Sequence, residues 1–145
     1  MDQSASFSVR NAAARSTRTL ERMQNTAAVA SSWVEVLSSR PEVPFHAKLR
    51  SHFGAGTISR LCDCGCHSFD LTIPEGVVLS PLCEPGPAGG KFFELVCEST
   101  EGSEIAFLFF VDSRGYLSGI DVTAGSGNHA PLPSKVEIGK VLYAL

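Results

Sequence analysis

The chain has 145 residues, of which 43% are hydrophobic and 19% are charged, and its net charge is −3. This composition is typical of a soluble globular domain, and no apolar run approaches the ~18–20 residues that a membrane helix needs. Disorder, nucleic-acid binding through a basic chain and membrane insertion are therefore not expected. We predict one domain over residues 1–145, in which residues 1–8 either begin the first helix or form a mobile arm.

Spacings of three and four residues between apolar positions predict an amphipathic helix from Leu20 to Leu37, with Trp33 at the margin of its apolar face. Pro41 ends this helix, because proline cannot continue a helix. A second helix is predicted to begin at Pro44 and to end at Gly54. The sequence before Leu20 lacks the apolar stretch of a secretory signal, so we expect a cytoplasmic protein. Its Arg- and Ser-rich composition also fits an organellar transit peptide.

From Thr57 onwards the apolar pattern has a period of two, which is typical of strands. The fourth predicted strand is apolar on both faces and should lie in the centre of the sheet, covered on at least one side by the helices. After a loop, a capping box at Ser134 predicts a closing helix, although the alternation of Val136 and Ile138 also allows a strand. The sequence thus predicts an α+β fold, with N-terminal helices packed on one antiparallel meander of about five strands. The predicted strands are 57–64, 67–73, 91–98, 104–111 and 115–123.

Charges are unevenly distributed along the chain. Residues 1–60 carry eight basic and four acidic side chains, whereas residues 61–145 carry four basic and eleven acidic ones. If the acidic side chains share a surface, that surface would repel nucleic acid and attract a basic protein. The alternative is that they line solvated edges and turns. The candidate partner-binding residues are Glu94, Glu98, Glu101, Glu104, Asp112 and Asp121.

A second candidate site is the cysteine-rich stretch Cys62, Cys64, Cys66 and His67. On an extended strand the three cysteines would share a face at separations too large for an unstrained disulfide or a common zinc ion. The cysteines up to Cys66 occupy even-numbered positions, whereas the apolar residues from Phe69 onwards occupy odd-numbered ones. If both sets are buried, the chain must bend between them, and this bend could bring Cys62, Cys66 and His67 together. The alternatives are buried packing, a zinc site and a redox pair. The chain has five cysteines and no secretion signal, which predicts free thiols, with Cys97 in the core.

The sequence gives little support to an enzyme. Cys66 and His67 are adjacent, and adjacent strand residues point to opposite faces, so they do not form a nucleophile and its base. The chain has no P-loop, dinucleotide fingerprint, H-E-x-x-H or G-x-S-x-G motif. His46 and His52 are predicted on opposite faces of the second helix, which excludes a two-histidine metal site there.

The segment CDCGCHSFDL, followed by EIAFLFFVDSRGYLSGIDV, resembles a group of small bacterial proteins that carry C-x-C-G-C-x-S ahead of a hairpin. The similarity covers about residues 57–123, and it implies no catalytic residues. In size, acidity and arrangement of elements, the chain is also similar to immunity proteins of bacterial toxin systems of the contact-dependent inhibition type. This likeness implies a non-enzymatic protein that neutralises a basic, nuclease-type toxin and has no nucleic-acid or membrane partner. The alternative function is a metal-binding or redox-sensing module, with zinc as its cofactor. The oligomeric state stays open.

Overall fold

A computed structural model describes residues 24–63, 66–87, 89–124 and 135–145. Within these ranges the helices are α1 (Ala27–Ser38) and α2 (His46–Ala55), and the strands are β1 (Thr57–Leu61), β2 (Phe69–Thr72), β3 (Gly90–Glu98), β4 (Glu104–Val111), β5 (Leu117–Thr123) and β6 (Lys140–Ala144). The strands form one sheet in the order β1-β2-β5-β4-β3-β6, and all neighbouring strands are antiparallel. The predicted α+β class is confirmed, with six strands instead of about five.

Helix α1 begins at an N-cap, Thr26, whose side chain accepts a hydrogen bond from the backbone N–H of Val29 at 3.1 Å. Its buried face includes Trp33, which is fully buried, so the prediction of a marginal position for this residue is wrong. The Trp33 ring packs edge-on against Phe107 of β4, with ring centroids 5.4 Å apart. The predicted start of the helix at Leu20 lies outside the described residues, as do residues 1–8.

The two sides of the sheet differ in burial, and β4 shows this most clearly. Its odd-numbered residues Ile105, Phe107, Phe109 and Val111 are buried on the side that the helices cover. Its even-numbered residues Ala106, Leu108 and Phe110 are only half-buried on the other side. The prediction of a central strand covered by the helices is therefore confirmed.

The end of the chain is a strand, which corrects the prediction of a closing helix. Strand β6 pairs with β3, with Val96 opposite Tyr143 and Cys97 opposite Val141. The edge of β3 supplies hydrogen-bond partners to this segment, and Gly139 and the β-branched Val141 disfavour a helix there. Ser134, the predicted cap, lies outside the described residues.

Cys62, Cys66 and His67 lie between β1 and β2, so the predicted strands 57–64 and 67–73 are longer than the observed ones. Strand β1 ends at Leu61, and β2 begins at Phe69. The backbone N–H of Cys62 donates to the carbonyl oxygen of Ser68 at 3.0 Å, which joins the two ends of the connection. Phe69, Leu71 and Ile73 are buried, as the shift in the apolar pattern predicted.

His52 joins α2 to the sheet through both of its ring nitrogens. Its Nδ1 accepts a hydrogen bond from the backbone N–H of Leu117 at 3.1 Å, and its Nε2–H donates to the carbonyl oxygen of Ser80 at 2.7 Å. Burial lowers the pKa of His52, although the hydrogen bond to Ser80 acts in the opposite direction. A second proton on Nδ1 would point at the Leu117 N–H, so the folded state requires the neutral ring.

We expect acid to destabilise the fold through His52. The pKa of this group in the folded state lies below its ordinary value of 6.5, so the unfolded chain binds the proton first. The contribution of His52 to the free energy of unfolding is fully present above pH 6.5 and is lost as the pH falls below that value. Because one proton is involved, the free energy of unfolding changes by at most about 1.4 kcal/mol per pH unit. Urea unfolding from about pH 8 to about pH 5 measures it, and His52→Gln should reduce the slope. An equal slope in the variant would show that His52 is not responsible.

Candidate binding face and cleft

The side of the sheet that faces away from the helices forms a continuous surface, which we call the open face. Directly opposed residues in antiparallel strands project to the same side. The register places Glu94 opposite Leu108, which in turn lies opposite Asp121. By the same register the open face comprises Arg60, Asp70, Lys91, Glu94, Val96, Glu98, Glu104, Ala106, Leu108, Phe110, Asp121, Thr123, Lys140 and Tyr143.

Four of the six predicted partner-binding acids lie on the open face, namely Glu94, Glu98, Glu104 and Asp121. Glu101 is exposed in the turn between β3 and β4, at the same end of the sheet as Glu98. The structure thus brings five of the predicted acids to one side or its margin.

The ion pairs of the open face neutralise only part of its negative charge. Lys91 lies 3.7 Å from Glu94. Arg60 donates to Asp70 at 2.9 Å. In the described ranges no basic side chain is within ion-pair distance of the three other acids of this face, which are Glu98, Glu104 and Asp121. The apolar centre of the face is therefore bordered by carboxylates that can accept a cation.

Asp112, the sixth predicted acid, stabilises the turn between β4 and β5 instead. Its carboxylate accepts hydrogen bonds from the Arg114 guanidinium at 2.7 and 3.2 Å and from the backbone N–H groups of Arg114 and Tyr116. Burial favours the neutral acid, but the bonds from Arg114 and Tyr116 outweigh it and lower the pKa of Asp112. Its oxygens are engaged within the turn, at the end of the sheet opposite Glu101.

A cleft of about 280 Å³ opens at the β1–β2–β5 side of the open face. It contains members of both predicted sites, because Cys62 and Cys66 line it together with Asp121. The complete lining in the described residues is Arg60, Cys62, Cys66, Ser68, Phe69, Asp70, Asp121 and Thr123.

Ser68 is the centre of the hydrogen bonds in this cleft. Its Oγ accepts from the backbone N–H of Val122 at 2.9 Å and from the Cys66 thiol at 3.3 Å. Ser68 also acts on the nearby Asp121, because it lowers the pKa of that carboxyl group. The hydroxyl thus joins Cys66 of the connection to Val122 of β5. Nothing in the sequence distinguishes Ser68 from the other serines, since its partners depend on the pairing of β2 with β5.

The cleft disfavours the charge on Asp121. Burial raises the pKa of Asp121, and the nearby Asp70 carboxylate acts in the same direction. The hydrogen bond from Ser68 and the charge of Arg60 oppose this rise but do not cancel it. Because burial and the charge of Asp70 both destabilise the ionised Asp121 carboxylate, an approaching cation would stabilise it.

The predicted metal ligands are only partly brought together. Cys62 and Cys66 share the cleft, but the His67 ring is buried against α1, where its Nδ1 accepts a hydrogen bond from the Trp33 Nε1–H at 2.8 Å. This bond fixes the neutral tautomer with its proton on Nε2. Cys64 lies outside the described residues, and the residues that are described contain no cluster of three or more His, Cys, Asp or Glu arranged for a metal. The zinc site stays a prediction.

Cys97 is a core residue, as predicted. It is fully buried, and burial raises the pKa of its thiol to about 11. A thiol with this pKa is almost entirely protonated at neutral pH, and the thiolate is the reactive form. Cys97 therefore packs in the core as a protonated thiol.

Comparison with protein-family models, with curated proteins and with solved structures gave no match. Neither α1 nor α2, nor any other helix in the described ranges, is long and apolar enough to cross a bilayer. Inferences about function therefore rest on the open face and the cleft.

We expect Asp121→Asn to stabilise the isolated protein at neutral pH. The raised pKa of Asp121 means that its charged form costs folding free energy above the unfolded pKa of about 3.8, and this cost disappears as the pH falls and the acid becomes protonated. Thermal unfolding at neutral pH should show a higher midpoint, and the difference from wild type should shrink towards about pH 4.

Glu98→Gln is the matched control, because it removes one charge from the same face outside the cleft. We expect its midpoint at neutral pH to stay close to that of the wild type. A lower midpoint for Asp121→Asn than for Glu98→Gln at neutral pH would show that the ionised carboxylate stabilises the fold.

Proposed function

We propose that this protein is a non-enzymatic binding protein and that its open face receives a basic protein partner. The observation that carries the proposal is the arrangement of carboxylates around an apolar centre on the side of the sheet opposite the described helices. Apolar area supplies affinity, and a rim of one charge sign supplies steering and partner selection. The accessible central apolar residues are the half-buried Ala106, Leu108 and Phe110, with the exposed Tyr143 on β6 beside them, whereas Val96 is buried between them.

The rigidity of the face supports this use. It is carried by β3, β4 and β5, which pair continuously with one another through most of their lengths. A surface built on paired strands loses little conformational freedom on binding, and this preserves affinity. The basic side chains of a partner would meet Glu98 and Glu104 near one end of the face and Asp121 in the cleft.

The partner we propose is a basic toxin domain of nuclease type, for which this chain is the bacterial immunity protein. A protein that binds nucleic acid carries a positive surface, and an acidic inhibitor can cover that surface and exclude the substrate. The small size, the acidic sheet and the lack of a nucleophile–base–acid assembly in the described residues support an inhibitor over an enzyme. A cytoplasmic location fits an inhibitor that protects the cell from within.

The genes beside the coding sequence provide the first test. We expect a large reading frame whose product ends in a basic domain, and we expect that domain to stop bacterial growth when it is expressed alone. Co-expression of this chain should restore growth. A flanking region without such a toxin, or a toxic domain that this chain does not neutralise, would contradict the immunity function.

A charge-reversal experiment tests the face itself. The variant Glu94→Lys/Glu98→Lys/Glu104→Lys should slow association with the toxin domain by about tenfold or more and flatten the dependence of the rate on salt, because electrostatic steering is lost. Stopped-flow fluorescence at low and high salt measures both effects.

The matched control is Glu35→Lys/Glu75→Lys/Glu84→Lys. It makes the same change in net charge at exposed residues of α1 and of two connections. We expect its association rate to fall much less. If the two triple variants behave alike, net charge alone determines the rate, and the open face has no special role.

A further inference from the structure

A second concave site lies on the helix side of the sheet, away from the open face. It is a pocket of about 430 Å³ between the first turn of α2 and the start of β3. Cavities of this size hold small organic ligands. We call it the aromatic pocket, and its lining in the described residues is Pro44, Phe45, His46, Ala47, Lys48, Leu82, Phe92 and Phe93.

A β-bulge builds one wall of the aromatic pocket. Lys91 pairs with Phe110 and Phe93 pairs with Phe109, so Phe92 is an extra residue on β3. In a regular strand Phe92 and Phe93 would point to opposite sides of the sheet. The bulge turns both rings towards the helix side, where both contact Phe45. Bulges that redirect a side chain in this way are common beside functional sites.

The wall is held in place by ring contacts. The Phe45 ring packs edge-on against Phe93 at a centroid distance of 4.9 Å and against Phe109 at 5.1 Å, and it is tilted against Phe92 at 5.3 Å. Phe45 and Phe109 are buried, whereas Phe92 and Phe93 remain half-buried at the pocket. A ligand would therefore meet a preformed aromatic surface.

Strand β6 leaves this part of β3 uncovered. It pairs with β3 only along residues 94–98, so the bulge and the rings of Phe92 and Phe93 lie beyond its reach. The pocket accordingly stays open at the edge of the sheet in the described structure.

The charge at the pocket has one sign. Lys48 is the only lining residue with a full positive charge at neutral pH, and the described lining contains no acid. The Lys48 ammonium donates to the carbonyl oxygen of Pro81 at 3.1 Å, which leaves two of its three N–H groups for a ligand. His46 donates its Nδ1–H to the carbonyl oxygen of Val43 at 2.8 Å. The proton of a neutral His46 ring is engaged by Val43, so the N–H groups of Lys48 are the donors that the described rim offers to an anion, above walls that favour an apolar group.

We infer that the aromatic pocket binds a small carboxylate with an aryl or alkyl body, which packs against Phe45, Phe92 and Phe93 while its carboxylate pairs with Lys48. This site is separate from the proposed partner-binding face, because the sheet lies between them. Its test can therefore fail or succeed independently of the toxin hypothesis.

The probes are 4-phenylbutyrate and octanoate, each compared with its uncharged primary amide. We expect at least one acid to bind with a dissociation constant in the millimolar range or tighter, and its amide to bind about tenfold more weakly, because the charge-assisted bond to Lys48 is lost. Isothermal titration and saturation-transfer NMR measure binding. The absence of binding by both acids, or equal binding of acid and amide, would overturn the inference.

Three variants locate the binding. Lys48→Met should equalise the affinities of acid and amide, whereas the control Lys135→Met, at an exposed residue elsewhere, should leave the difference intact. Ala47→Trp places a large ring in the pocket from an exposed helix position and should abolish binding of both compounds. Binding that survives Ala47→Trp, or a preference for the acid that survives Lys48→Met, would place the ligand elsewhere.

Discussion

One buried hydrogen bond, from the Trp33 Nε1–H to the His67 Nδ1, ties the first helix to the cysteine-rich connection. An indole N–H can only donate, so burying Trp33 requires an acceptor nearby, and the neutral His67 ring supplies it. The ring is thereby held on the helix side of the sheet. The neighbouring residues Cys66 and Ser68 line the cleft on the other side. Asn25 assists from the segment before the helix, donating to the carbonyl oxygens of Cys62 and Ser68 at 2.7 Å each.

The sequence predicts those parts of the fold that depend on local pattern. The alternation of Ile105, Phe107 and Phe109 identifies the central strand, and the spacing of Glu94 and Glu98 already places both on one side of their own strand. Features that depend on distant partners could not be predicted. Trp33 is buried because His67 offers an acceptor 34 residues away. The last segment is a strand because β3 has a free edge. The role of Ser68 depends on β5, which lies 54 residues further along the chain.

The open face could be predicted from the sequence in part, whereas the aromatic pocket could not, because only the first depends on a regular local pattern. Acidic residues two or four positions apart on a regular strand share a side, so parity predicts the grouping within each strand, whereas the pairing register brings the strands' acids to one face. The aromatic pocket violates parity, because the bulge at Phe92 inserts one residue and turns two consecutive rings to one side. The sequence shows Phe92 and Phe93 as adjacent aromatic residues, which in a regular strand would be divided between the core and the open face.

The two sides of the sheet differ in charge, and this difference follows from the uneven distribution of charge along the sequence. The basic first half of the chain supplies the helices, with Lys48 and Arg50 on α2, and the acidic second half supplies most of the open face. Among the described ion pairs, Arg60–Asp70 on the open face joins the two halves of the chain, and the sheet and the buried core separate Lys48 and Arg50 from the acids of that face. A cationic partner is therefore favoured on the open face and an anionic ligand beside α2. Opposite ligand charges can be accommodated in one small domain since each site faces its own side of β3 and β4.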